Sequence, residues 1–251
     1  MLEIRSLTCG YRRGAPVLQD LTLTAASGEI TAVLGRNGCG KSTFLHTVMG
    51  GIPFQGEILI HDRPLRTLTP RERAKAVSLL PQRLPAPALS VRETVTLGLC
   101  PHFSRPDAAD RQRVEETIAL VGLDVLADRL VNTLSGGERQ RAFLALLLAQ
   151  NANVLLLDEP TAYTDAPFSA LLYRILRDER ERGKTVLIVM HDVGTALQFA
   201  DRIIVLENGT LAFDGTPTEA LEREIPEKHF GLTRYTAQRG EKTAVFFKAE
   251  E

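Results

Sequence analysis

The sequence predicts an α/β fold around a largely parallel sheet, from three stretches of the chain. Gly35-Arg36-Asn37-Gly38-Cys39-Gly40-Lys41-Ser42-Thr43 follows a short apolar run, Ile30 to Leu34, and precedes a helical pattern, Phe44 to Met49, that stops at Gly50-Gly51. Val154-Leu155-Leu156-Leu157 is a continuous apolar run ending in Asp158-Glu159. Thr185 to Met190 is another, ending in His191-Asp192. Strands buried on both faces of a parallel sheet read this way, and ligands gather at their carboxyl ends.

Taken in order, residues 1 to 30 predict peripheral strands. Leu2, Ile4 and Leu7 alternate in part, and Leu21 to Thr24 alternates up to a Ser27-Gly28 turn. Tyr11 sits between these strands, in front of Arg12-Arg13-Gly14. After the glycine-rich loop, Gly56 to Ile60 reads as a strand, and Thr69-Pro70-Arg71-Glu72 opens a helix with a capping box and proline at its first position. Val77 to Leu80 is a short strand that ends at Pro81-Gln82. Ser90-Val91-Arg92-Glu93 is a second capping box, and Asp110 to Leu123 carries Val114, Ile118 and Val121 at helical spacing, with a stop at Gly122. Residues 84 to 150 therefore predict a helical insertion in an alternating β/α chain. Leu134-Ser135-Gly136-Gly137-Glu138-Arg139-Gln140 leads into the apolar helix Ala142 to Ala149. Arg177 to Arg182 predicts a solvated helix face. Ile203 to Phe213 predicts a hairpin turning at Asn208-Gly209, and Val245-Phe246-Phe247 in the tail an extra strand.

The chemistry of these stretches points to nucleotide triphosphates. The first fits G-x-x-x-x-G-K-[ST], a phosphate-binding loop. Its glycines let the backbone aim successive N–H groups at phosphate oxygens, and the helix N-terminus adds positive partial charge. Lys41 is predicted to reach the β- and γ-phosphates, and the Ser42 hydroxyl to ligate Mg²⁺. Asp158 is its acidic partner, holding Mg²⁺ through water, and Glu159 stands where a base for water would act. Ser135-Gly136-Gly137 before a helix forms a second cluster of backbone N–H groups.

Composition narrows the classes further. The 251 residues are 44% hydrophobic and 24% charged, as in an ordinary globular protein, and the net charge of −1 offers no field for nucleic acid. The start lacks a signal-peptide core, and no apolar run reaches spanning length without interruption, so a membrane role is expected to come through a partner. Cys9, Cys39 and Cys100 have no CxxC spacing, which predicts a reducing compartment, and the five histidines show no metal-ligand spacing.

In this order, the motifs resemble those of the nucleotide-binding subunit of an ABC transporter, over residues 1 to 220, with 221 to 251 as an extension. Gly35 to Thr43 looks like the Walker A loop, Val154 to Asp158 like Walker B and Leu134 to Gln140 like the family signature. The resemblance implies a P-loop NTPase (RecA-like) core with a peripheral antiparallel β-subdomain and an inserted α-helical subdomain. It implies that Gln82 is the Q-loop glutamine and a metal ligand, Glu159 the catalytic carboxylate, His191 the switch histidine and Tyr11 the aromatic that stacks on adenine. Ser135 and Gly137 would contact the γ-phosphate held by a second copy, making an ATP-dependent homodimer, and Asp165 would carry a contact between subunits. Further implied partners are integral membrane permease subunits at the cytoplasmic face, coupled near Gln82, and indirectly a substrate-binding protein.

Ala162-Tyr163-Thr164-Asp165 departs from the family's Ser/Thr-x-Leu-Asp, so a looser dimer seam is expected at Thr164. Pro160-Thr161-x-Tyr163 and Val95-x-x-Gly98-x-x-Pro101-His102 are similar to importers of iron chelates, haem and cobalamin, although Leu99 stands where that group usually has arginine. Two rival classes fit less. A kinase or GTPase leaves Leu134 to Gln140 unexplained, and no Asn-Lys-x-Asp motif is present. A soluble ABC ATPase of repair or translation needs a long coiled-coil insertion or a second cassette, whereas about ninety residues separate Lys41 from Ser135.

Overall fold

The computed structural model describes residues 1–12, 14–102, 107–162, 164–239 and 242–249. Tyr163, part of the importer-like wording, lies outside them. The chain opens with β1 (Leu2–Cys9) and β2 (Leu18–Ala25), which pair antiparallel with Leu2 opposite Ala25 and Leu7 opposite Leu21. A register shift between Ile4 and Leu7, where Ser6 takes φ 46°, is why the apolar alternation of this stretch is only partial. Next come β3 (Glu29–Leu34), α1 (Lys41–Val48), β4 (Phe54–Ile60) and β5 (Arg63–Pro64). Then follow α2 (Pro70–Ala76), β6 (Val77–Leu80), α3 (Val91–Thr96), α4 (Ala108–Leu120) and α5 (Gly136–Gln150). The second half contains β7 (Val154–Asp158), α6 (Ala166–Glu181), β8 (Thr185–Val189), α7 (Val193–Phe199), β9 (Arg202–Glu207) and β10 (Thr210–Gly215). It closes with α8 (Pro217–Glu222), α9 (Ile225–Phe230), β11 (Leu232–Arg239) and β12 (Lys242–Ala249).

Two sheets organise these elements. One is antiparallel in the order β2-β1-β4-β5; the other runs β10-β9-β3-β8-β7-β6, parallel throughout except for β10. Successive side chains of a strand point to opposite faces, so each core strand feeds two cores. Ile30, Leu155, Leu157, Val186 and Ile188 pack beneath α3 to α7. Val33, Val154, Leu156, Leu187 and Val189 pack instead against α1 and the antiparallel sheet. Burial on both sides is the physical reason for the unbroken apolar runs.

The capping boxes at Thr69/Glu72 and Ser90/Glu93 form as the sequence predicts, and Asn208 and Gly209, at φ 49° and 79°, make the hairpin turn. A Cβ on Gly209 would lie 2.2 Å from the Val17 carbonyl oxygen, so close approach of β2 also requires glycine there. Two expectations need correction. Helix α4 begins at Ala108, because Asp107 caps it and Asp110 is the third residue of that cap. Glu179, within the charged run, is buried, and Lys184 and Arg182 pair with it. The strand expected at Val245-Phe246-Phe247 is β12, which pairs with β11 rather than with either main sheet and packs on α7 through Phe247 near Gly194.

Candidate nucleotide site

The loop between β3 and α1 is shaped by glycines at φ 151° (Gly35), 81° (Gly38) and 109° (Gly40). At Gly40 a Cβ would also fall 2.4 Å from the Leu18 side chain, so β2 presses on the loop from outside. Gly40 offers no side-chain cap to α1, which leaves the first-turn N–H groups free to bind a ligand. Lys41 is buried and curls over the loop, its Nζ donating to the carbonyls of Gly35 (2.7 Å) and Arg36 (3.3 Å). A cation fixed in this way needs little reorganisation to meet phosphate oxygens.

Strand register brings the remaining groups to this loop. Asp158, at the end of β7, lies opposite Val189 of β8, and Leu80 of β6 lies opposite Leu157. Residues just past each strand end are thereby adjacent. The His191 Nε2 lies 2.6 Å from Glu159 Oε1, and the Gln82 Nε2 donates to Glu159 Oε2 at 2.5 Å. Both oxygens of one carboxylate are held. Glu159 itself takes φ 51°, the left-handed region that L side chains avoid, immediately before Pro160. Asn37, Gly38, Gly40, Lys41, Ser42, Thr43, Gln82, Glu159 and His191 line one cleft of about 400 Å³.

Asp158 lies beneath that cleft. Burial pushes its carboxyl pKa up, opposed by a hydrogen bond from Ser42, while the neighbouring Glu159 charge raises it further. Its Oδ1 is buried without a hydrogen-bond partner. An orphaned carboxylate oxygen beside a serine hydroxyl fits a hard divalent cation that shares its remaining ligands with phosphates and water.

Other residues singled out by sequence lie elsewhere. Ser135 and Gly137 line a separate cleft of about 470 Å³ with Thr164 and Asp165. Ser135 caps α5 in a capping box with Glu138. A Cβ on Gly136 or Gly137 would meet nothing within 4 Å, so packing inside this chain does not account for either glycine. The Asp165 carboxylate caps α6, accepting from Phe168 N at 2.9 Å, and the Thr164 hydroxyl donates to the Thr161 carbonyl. Tyr11 is 67% exposed, on a groove shared with Arg12 and Phe54 rather than in the phosphate cleft. The Cys39 side chain is buried and does not line that cleft; it faces Gly35 and a pocket bounded by Leu206 and His229.

Gln140 received no separate role from the sequence. Its buried side chain donates from Nε2 to the Pro160 carbonyl at 3.0 Å. The available signal was a polar residue four before Leu144 and seven before Leu147, on the apolar stripe of α5.

Comparison with known proteins agrees with this geometry. Residues 18–162, more than half of the chain, match the family model described as "ABC transporter". The ferric enterobactin transport ATP-binding protein FepC of Escherichia coli (strain K12) is 36% identical over 237 residues, which cover 92% of this chain and 87% of that one. An inward-facing conformation of a putative metal-chelate type ABC transporter superposes with a TM-score of 0.83 at 27% identity, covering 100% of this chain and 97% of that chain. The ATP-binding cassette MJ0796, solved as a dimer in a post-hydrolysis state bound to ADP and Pi, superposes at 0.79 with 27% identity, covering 86% of this chain and 99% of that chain.

Proposed function

This chain belongs to the ABC transporter ATP-binding family, and on that premise we propose that it powers an importer of chelated iron, of the siderophore or haem kind. It is an ATPase, and the observation that carries the mechanism is the Glu159 carboxylate at the mouth of the phosphate cleft, gripped by His191 and Gln82. The Lys41 ammonium and the loop amides bind the β- and γ-phosphates. Tyr11, at the edge of the antiparallel sheet, stacks on the base. Glu159 accepts the proton of the attacking water, and His191 orients the carboxylate for that transfer. Ser42, Asp158 and the carbonyl oxygen of Gln82 are the groups that would hold Mg²⁺, whose charge would offset that of the β- and γ-oxygens.

Glu159 and Ser135 line different clefts of this chain, which supports a site shared by two copies. In that arrangement Ser135 and Gly137 of one copy read the γ-phosphate on the other, and Asp165 contributes to the seam. ATP then favours the closed pair and ADP releases it, because the two nucleotides differ in what they offer the second copy. We assign residues 1–220 to the ATPase unit, with the helical insertion at 84–150, and 221–251 to an extension. Among the described residues no helix is long and apolar enough to cross a membrane. Attachment to the cytoplasmic face therefore runs through permease subunits in this reading, and cargo reaches them from a substrate-binding protein.

Deleting the chain in its host and following radiolabelled ferric chelate and haem tests the cargo. Loss of uptake restored by the wild-type chain, and not by Lys41→Ala, is the expected result. Unchanged uptake of both cargoes would overturn the importer assignment while leaving the ATPase intact.

A further inference from the structure

Glu159 occupies a backbone conformation that its own residue type and the following proline both disfavour, at φ 51° before Pro160. Such a residue persists only where its surroundings over-determine it. On the side-chain end the holders are Gln82 and His191, both in the open cleft. On the backbone end there is the 159–162 turn, closed by Ala162 N donating to the Glu159 carbonyl at 3.1 Å. The Pro160 carbonyl between them is met by Gln140 Nε2 at 3.0 Å. Gln140 is only 9% exposed and Pro160 is buried. Water cannot readily take over that bond when the donor is removed.

Gln140 belongs to the second turn of α5, the helix capped by Ser135. Ser135 and Glu159 line different clefts, so a short run of covalent and hydrogen-bonded connections joins the two: the first turns of α5, the Gln140 amide, the Pro160 carbonyl, Glu159. We propose that Gln140 is a positioning residue for hydrolysis, which fixes the 159–162 turn to α5 and so aims Glu159 at the water. It touches neither nucleotide nor water, and it acts only through Glu159. The inference rests on Glu159 being the base, and it adds a consequence for the shared site. A helix drawn toward the second copy's γ-phosphate at Ser135 carries Gln140 with it, so closure of the pair tightens the geometry of its own carboxylate.

A double-mutant cycle tests this. Gln140→Met keeps length and helix preference and removes the donor; Gln140→Asn keeps the amide and shortens the reach, and serves if the first variant folds poorly. The expected result for either is at least a tenfold fall in kcat, with KM for ATP within twofold and a melting temperature that does not account for the loss. In a Glu159→Gln background, adding Gln140→Met should lower the residual turnover no further. Independent, multiplying effects would overturn the proposal, as would equal changes in kcat and KM or full activity in Gln140→Met. If Glu159→Gln alone keeps wild-type turnover, the base assignment fails and this proposal fails with it. The two failures are told apart by the single Glu159 variant.

Discussion

Replacing Glu159 by glutamine separates chemistry from binding, and the surrounding contacts set the size of the effect. The wild-type carboxylate is held by Gln82 Nε2 at 2.5 Å and His191 Nε2 at 2.6 Å. A glutamine amide can keep both bonds: its oxygen still accepts from Gln82, and its nitrogen can donate to His191 in the tautomer with an unprotonated Nε2. The folded structure should therefore change little. The amide cannot take a proton, however, and general-base catalysis contributes roughly 10²–10⁴-fold. That corresponds to about 2.7–5.4 kcal/mol added to the barrier. Lys41, Ser42 and Asp158 are untouched, so MgATP affinity should remain near wild type. The variant should collect as an ATP-bound pair, read as doubled mass by light scattering, while single-turnover release of phosphate gives the rate. Ser135→Arg in the same background should return it to monomer, because a bulky side chain enters the place of the opposite γ-phosphate. Normal hydrolysis by Glu159→Gln would refute the base. A variant that binds ATP and stays monomeric would refute the shared site.

Two more outcomes follow from the same geometry. Lys41→Ala should abolish measurable MgATP binding by calorimetry, since its ammonium is buried at the loop and no other lysine or arginine lines the cleft among the described residues, and near-wild-type affinity would sink the phosphate-loop assignment. Asp158→Asn should stabilise the nucleotide-free protein while removing Mg²⁺-dependent turnover. Burial raises the Asp158 pKa above its ordinary 3.8, so between that value and the raised one the folded state holds more protons than the unfolded state. Wild-type stability in chelator should thus fall as pH rises through that window, and the asparagine variant should lack this component. Melts that fall identically in the two proteins would refute the buried-carboxylate account.

Much of this molecule is specified locally. The loop at 35–43, the capping boxes at Thr69, Ser90 and Ser135 and the Asn208-Gly209 turn each depend on residues a few positions apart, so short windows suffice to read them. The runs at 154–158 and 185–189 revealed a doubly covered sheet because burial on both faces removes polar residues from both periodicities. What only the tertiary structure decided is which ends meet. Gln82, Glu159 and His191 share hydrogen bonds because β6, β7 and β8 are neighbours in register, an outcome of long-range pairing that no local pattern encodes. Folding likewise buried Glu179 inside a run of charges, since Lys184 lies within reach to pair with it, and sent the tail into its own hairpin rather than a main sheet. The contact of Gln140 with Pro160 crosses from a helix to a strand end and exists only once α5 has packed on the sheet. Residue types and short spacings determine the chemistry available to this chain. Strand order and helix packing determine which atoms come within bonding distance, because those contacts form only when distant segments are brought together.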